Sequence, residues 1–146
     1  MADFALITER LATGAAVSTA DDVAQLVEAG VTHVIDERAE FDDGPLFAGN
    51  PAVTYLWNPT PDDGVTPKPD AWHQANVAFA VAAYSQLRTC VYFHCAAGVN
   101  RGPSGAYSAL RACMGFSPDQ ARGLIVAVRP QAGIAYAADF DRYWAQ

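Results

Sequence analysis

Lysine is almost missing from this sequence. Lys68 is the only one, and sixteen acidic residues face nine basic ones across 146 positions, for a net charge of −7. Nonspecific nucleic-acid binding depends on Lys and Arg neutralising phosphates, so no nucleic-acid partner is expected. The same shortage argues against an anionic membrane surface. No apolar run approaches the roughly 18 residues of a membrane span; the longest candidate, Ala71 to Leu87, is broken by His73, Gln74, Asn76, Ser85 and Gln86. The opening, MADFALITER, has no basic stretch leading into an apolar one, so no secretory leader is expected and the cytoplasm is the expected compartment. Three cysteines are too few and too odd for a disulfide framework, which points to reduced thiols.

What the chain does have is 51% apolar and 17% charged residues, the composition of a folded chain with one core. The length suits a single domain over residues 1–146. Ser18 or Thr19 can cap a helix whose first turn carries Asp21 and Asp22, and Gly30 is its natural stop. Val31 to Asp36 and Val53 to Trp57 have the β-branched and aromatic content of strands. Between and after them, Glu37 to Pro51 and Asn58 to Pro69 are rich in Gly, Pro, Asn and Asp and are expected as loops, with Asp42 and Asp43 solvated. Asp70 is expected to cap a long helix ending near Arg88. Thr89 to His94 is apolar enough for a strand buried on both faces. Helices are expected from Pro103 to Met114, from Ser117 to just before Pro130, and from Ala135 to Trp144. The alternation predicts an α/β fold with a central, mostly parallel sheet flanked by helices.

The chemistry concentrates in His94-Cys95-Ala96-Ala97-Gly98-Val99-Asn100-Arg101, between the buried strand and a helix start. Open α/β sheets bind ligands at the carboxyl ends of their strands. Small residues and Gly98 let the backbone of Ala96, Ala97, Gly98, Val99 and Asn100 curl so that its amides point inward, a nest for an oxyanion. Arg101 supplies local positive charge as a two-pronged fork. Beside such a nest Cys95 should ionise readily, and its thiolate would sit under a bound phosphorus.

His-Cys, five residues, then Arg, with Gly three after Cys, resembles the signature of the cysteine-dependent protein phosphatases, in particular the compact dual-specificity branch. Leu11-Ala12-Thr13-Gly14, the helix Asp21 to Gly30, the segment Gly30 to Asp36 and the closing Val128-Arg129-Pro130 with Gly133-Ile134 are similar to that family's flanks, so the likeness spans nearly the whole chain. It implies a metal-independent, cofactor-free phosphomonoester hydrolase acting through a phosphocysteine. The implied substrate is a phosphorylated protein, phosphotyrosine first, or a small aryl phosphate. It also implies an acid on a loop about thirty residues before the Cys. Pro61-Asp62-Asp63-Gly64 stands there, with Asp62 the first choice and Asp63 the reserve; Pro-Asp-Asp-Gly is also an ordinary turn sequence. His94 would orient the loop.

One position departs from the family. Gly102 stands where a Ser or Thr usually follows the Arg, with Ser104 as a displaced substitute hydroxyl, so a slower second step or a less supported thiolate is expected. Arg101-Gly102-Pro103 also resembles the rhodanese-like phosphatases and related arsenate reductases, the alternative enzyme class. A phosphate-binding pseudophosphatase is the non-enzymatic alternative. Phosphoinositides are disfavoured, because Ala96, Ala97, Val99 and Asn100 put no Lys in the loop, and RNA is disfavoured by the acidic balance of the chain. Cys90 is expected as a buried small hydrophobe and Arg129 as structural. Trp57, Trp72 and Trp144 are expected in the core or at its rim.

Overall fold

The strand-forming segments pair into one five-stranded sheet in a computed structural model that describes residues 2–146. The strands are β1 (Phe4–Thr8), β2 (Leu11–Gly14), β3 (His33–Arg38), β4 (Thr54–Thr60) and β5 (Val91–His94). The helices are α1 (Ala20–Glu28), α2 (Gly44–Phe47), α3 (Asp70–Tyr84), α4 (Arg101–Ala112), α5 (Pro118–Val128) and α6 (Ala137–Trp144). The sheet order is β1-β2-β5-β3-β4, parallel except for the antiparallel β1 edge.

Strand β5 is central because every residue in it is apolar or aromatic until His94. Val91 and Phe93 turn to one face and join a core made with α3, α4, α5 and α6. Tyr92 turns to the other, where α1, α2 and their flanks pack. The approach of α4 to β5 is close. A Cβ on Gly105 would lie 2.5 Å from Phe93 Cδ1, so Gly at this position lets the helix rest on the ring. Phe93 is fully buried, and truncating it to Ala would cost about 3–5 kcal/mol in transfer and cavity terms. Thr19 and Ser117 close reciprocal capping boxes with Asp22 and Gln120, satisfying the first amides of α1 and α5.

Several boundaries differ from the sequence expectation. Strand β1 was not anticipated; it is a half-buried edge strand whose FALIT lacks polar alternation. Strand β3 starts at His33 and runs through Arg38, while β4 continues through Pro59 to Thr60, into the segment expected as loop. Pro is tolerated there because β4 is an edge strand. A single helical turn, α2, interrupts the other expected loop. Pro69, not Asp70, is the N-cap of α3, and it makes no side-chain cap bond. Helix α3 stops at Tyr84, α4 starts two residues early at Arg101, and α6 two residues late at Ala137.

Candidate active site

Strand β5 ends at His94, and the chain then curls through residues 95–100 before α4 begins at Arg101. The curl is held from outside by its carbonyls. Ala96 O accepts from Ala16 N at 3.1 Å, and Val99 O from Gly133 N and Ile134 N at 2.9 and 3.0 Å. Arg129 donates Nε to Gly98 O at 2.7 Å and Nη2 to Ala97 O at 3.0 Å, while its other edge pairs with Asp3. With the carbonyls turned out, the amides from Ala96 through Gly102 find no acceptor among the described residues. Consecutive unpaired N–H groups at a helix start form an oxyanion nest.

Gly98 makes the turn possible. Its φ is +68°, and a Cβ would meet Arg129 Nη2 and Gly14 C at 2.5 Å. Ile134 also lies at positive φ, +51°, a costly conformation for a β-branched residue. The hydrogen bond its N–H donates to Val99 O and its buried side chain hold it there.

Arg101 is buried at 3% exposure, and its guanidinium has two distinct edges. Nη1 and Nη2 grip the Glu40 carboxylate at 2.6 and 2.8 Å, and Nη1 also reaches Thr60 O. Nε is buried without an acceptor, 3.9 Å from Asp62 Oδ2. A buried, unpaired guanidinium N–H is costly unless something fills the space before it, and an oxyanion oxygen would. The hydrogen bond from Arg101 holds the Glu40 carboxyl down at about 2. Glu40 lies in the acidic run Glu37 to Asp43, where nothing in the sequence sets it apart.

Asp62 and Asp63 have opposite surroundings. Asp62 Oδ1 accepts from Tyr136 OH at 2.6 Å and from Asn100 Nδ2 at 3.5 Å, so it faces the curl. Asp63 folds back into its own turn, accepting from Val65 N, Thr66 N and Thr66 Oγ1. Those bonds, Thr66 hydroxyl first, hold its carboxyl at about 2. Tyr136 also accepts from Gly64 N and lies under the Lys68 ammonium, 4.2 Å from the ring centroid. Burial, with the Asp62 hydrogen bond, pushes its phenol up to about 12. The lone lysine thus ties the Asp62 loop down, bonding Pro61 O, and is itself buried. Burial lowers its pKa.

Cys95 is 2% exposed and free, as are Cys90 and Cys113. Cys90 packs into the α1-side core, where burial raises its thiol to about 11. Ser104 Oγ accepts from Tyr136 N at 3.1 Å and makes no hydrogen bond to Cys95, so it joins α4 to the Tyr136 turn. Gly102 has a packing reason of its own. A Cβ there would meet His94 Cα, His94 C and Phe93 O at 3.0 to 3.1 Å, backbone atoms that cannot swing aside.

His94 lies between the Cys95 carbonyl, 3.3 Å from Nδ1, and Asp43 Oδ2, 3.0 Å from Nε2. Asp43 is therefore not solvated as expected; it is 1% exposed. Asp36, Asp43 and His94 converge within 4.8 Å of one another, a metal-type trio that their sequence spacing hides. The fold already supplies the cation: Arg38 donates to both Asp36 oxygens at 3.0 and 3.1 Å and lies 3.3 Å from Asp43. With the guanidinium placed among these carboxylates, the trio does not fit a metal ion as well as its ligand count suggests. Trp72 is buried, whereas Trp57 and Trp144 are half-exposed.

No protein-family model matches the sequence, and no curated protein does. Solved structures do resemble it. Human DUSP28 is 23% identical with a TM-score of 0.78, over 96% of this chain and 91% of that one. PTPMT1, solved in complex with PI(5)P, is 21% identical with a TM-score of 0.74, over 97% of both chains. The human tyrosine phosphatase-like serine/threonine/tyrosine-interacting protein is 15% identical with a TM-score of 0.75, over 99% of this chain and 97% of that one. The chain therefore has the fold of the compact dual-specificity and tyrosine phosphatases: a five-stranded, mostly parallel sheet flanked by helices. Among the described residues, no helix is long and apolar enough to cross a membrane.

Proposed function

We propose that this chain, with the fold of the dual-specificity phosphatases, hydrolyses phosphomonoesters through a phosphocysteine on Cys95. The observation that supports the reading is a run of unpaired donors between β5 and α4: the amides of Ala96 to Gly102, which find no acceptor among the described residues, and the buried Arg101 Nε. Donors aimed at developing oxyanion charge, in a site dry enough to strengthen them, are the main source of catalysis in such a reaction. The Cys95 thiolate attacks phosphorus in line, forming the S–P bond as the P–O bond to the leaving group breaks. Asp62 gives its proton to that leaving oxygen. It then takes a proton from water, which breaks the S–P bond and frees phosphate. Asp62 is assigned this role over Asp63 because only Asp62 faces the curl. No metal or cofactor takes part in this scheme, and Glu40, Arg129 and Tyr136 act by positioning.

Phosphotyrosine in proteins, or a small aryl phosphate, is the proposed substrate, and the cytoplasm the proposed site of action. An acidic chain with no Lys in the loop suits a single phosphate better than a polyanionic lipid or nucleic acid. Gly102 puts no hydroxyl beside the thiolate, which favours accumulation of the phosphocysteine. The test is rapid-quench labelling with a phosphorus-labelled aryl phosphate. Label on Cys95, formed in a burst faster than turnover, is expected; label that never reaches Cys95 would refute the scheme. A phosphate-binding, non-catalytic role is the second reading. It is favoured by Gly102 together with the Glu40 carboxylate already seated on Arg101, and would give phosphate binding without label.

A further inference from the structure

Glu37 is a buried carboxyl that the scheme above does not use. Asp36 pairs with His94 across the sheet, so Glu37 stands at the next position beside Cys95. It shares the face of Ile35 and Phe93, which are themselves paired. Its exposure is 0%, and neither carboxyl oxygen has a hydrogen-bond partner. Asn76 on α3, also fully buried, is the polar side chain turned toward it, and the Asn76 Nδ2 is equally unpaired. An ionised carboxylate is not sustained in a dry interior without donors; the group takes up a proton instead.

The surrounding charges favour that outcome. Cys95 and Asp36 both disfavour a further anion, while the Asn76 amide and then Arg101 favour one. Burial is the larger effect, and together these hold the Glu37 carboxyl well above the usual carboxylate range. Arg101 is already engaged with Glu40, and Arg38 with Asp36 and Asp43. Arg101 is thus the cation that Glu37 would have to share with an incoming oxyanion.

We propose that Glu37 is a positioning residue of the loop, a neutral carboxylic acid whose proton, rather than its shape, lets an anion occupy the place beside it. The inference rests on the loop of residues 95–101 being an oxyanion site. Loss of that proton would put a third negative group against the thiolate and the bound oxyanion.

Two measurements test it. Infrared difference spectra at about pH 7 should show the C=O stretch of a protonated carboxyl in the wild type and none in Glu37→Gln. Tungstate affinity is then followed with rising pH in a Cys95→Ser background, where no thiol titrates at this position. The Gln variant should bind within about twofold of its parent at neutral pH. As the infrared band fades, the parent should lose at least about tenfold in affinity while the Gln variant stays flat. Absence of the band, or a band retained in Glu37→Gln, would overturn the proposal. So would tungstate bound tenfold tighter by the Gln variant at neutral pH, parallel losses in both proteins, or no loss before the fold opens. Should Glu37→Gln not fold, Glu37→Met carries the same expectation. A parent that never binds tungstate would overturn the oxyanion reading itself, and the infrared result separates that failure from this one.

Discussion

Removing the Arg129 side chain tests whether the loop is built from behind, as its geometry indicates. Arg129 is 3% exposed and makes two bonds to loop carbonyls, at 2.7 and 3.0 Å, plus a two-pronged pair with Asp3. These contributions differ in kind. The Asp3 side chain is 62% exposed, so the ion pair is screened and contributes about 1 kcal/mol or less. The carbonyl bonds are charge-assisted and come from a buried donor, and losing them strands Ala97 O and Gly98 O, at about 1.5–3 kcal/mol each. Arg129→Met should therefore lower stability by about 3–5 kcal/mol in urea denaturation, and Asp3→Asn by about 1 kcal/mol or less. The Arg129 hydrogen bond depresses the Asp3 carboxyl, so its small contribution is present above the ordinary carboxylate pKa and fades as pH falls through the depressed value. If Arg129→Met cost no more than Asp3→Asn, the carbonyl bonds would not hold the loop and the explanation for its unpaired amides would fail.

Asp62→Asn should reduce turnover of a poor leaving group by about 10²–10⁴ and remove the alkaline limb of the pH–rate profile. Asp63→Asn, already ionised in its own turn, should stay within about threefold; equal losses from both would refute the assignment. Glu40→Gln should raise KM for an aryl phosphate more than it lowers kcat, since Glu40 holds the outer edge of Arg101 and touches no reacting atom. The same pair contributes stability that is complete above about pH 4.5 and lost as pH falls toward about 2, so wild type and Glu40→Gln should converge in acid. Gly102→Ala should cost about 1–3 kcal/mol by thermal unfolding, because its Cβ meets backbone atoms at 3.0 to 3.1 Å; an unchanged melting temperature would contradict that packing.

The proposed nucleophile and its arginine are legible as a pair because their residues are contiguous. One strand end, one glycine and one helix start place Cys95 and Arg101, and the seven-residue stretch specifies them. Asp62 is legible as one of a pair, and it is separated from Asp63 by distant donors, Tyr136 74 positions away and Asn100, while Asp63 bonds within its own turn. Glu37, Glu40 and Asp43 sit in one acidic run that looks like solvated loop. The fold gives each a different place: beside Cys95, on Arg101 and against His94. Charge patterning cannot anticipate this, because burial depends on strand register and on where β3 ends. The β1 edge was missed for a related reason. Its five residues carry little period-two signal and become a strand by pairing with β2 and packing against α5.

The central claim is tested most directly by hydrolysis of an aryl phosphate in the presence of EDTA, comparing wild type with Cys95→Ser and with Arg101→Ala. Activity that survives EDTA, peaks in a bell-shaped pH profile and disappears in both variants, each still folded, is the predicted result. Activity that persists in Cys95→Ser, or that EDTA abolishes, would contradict it.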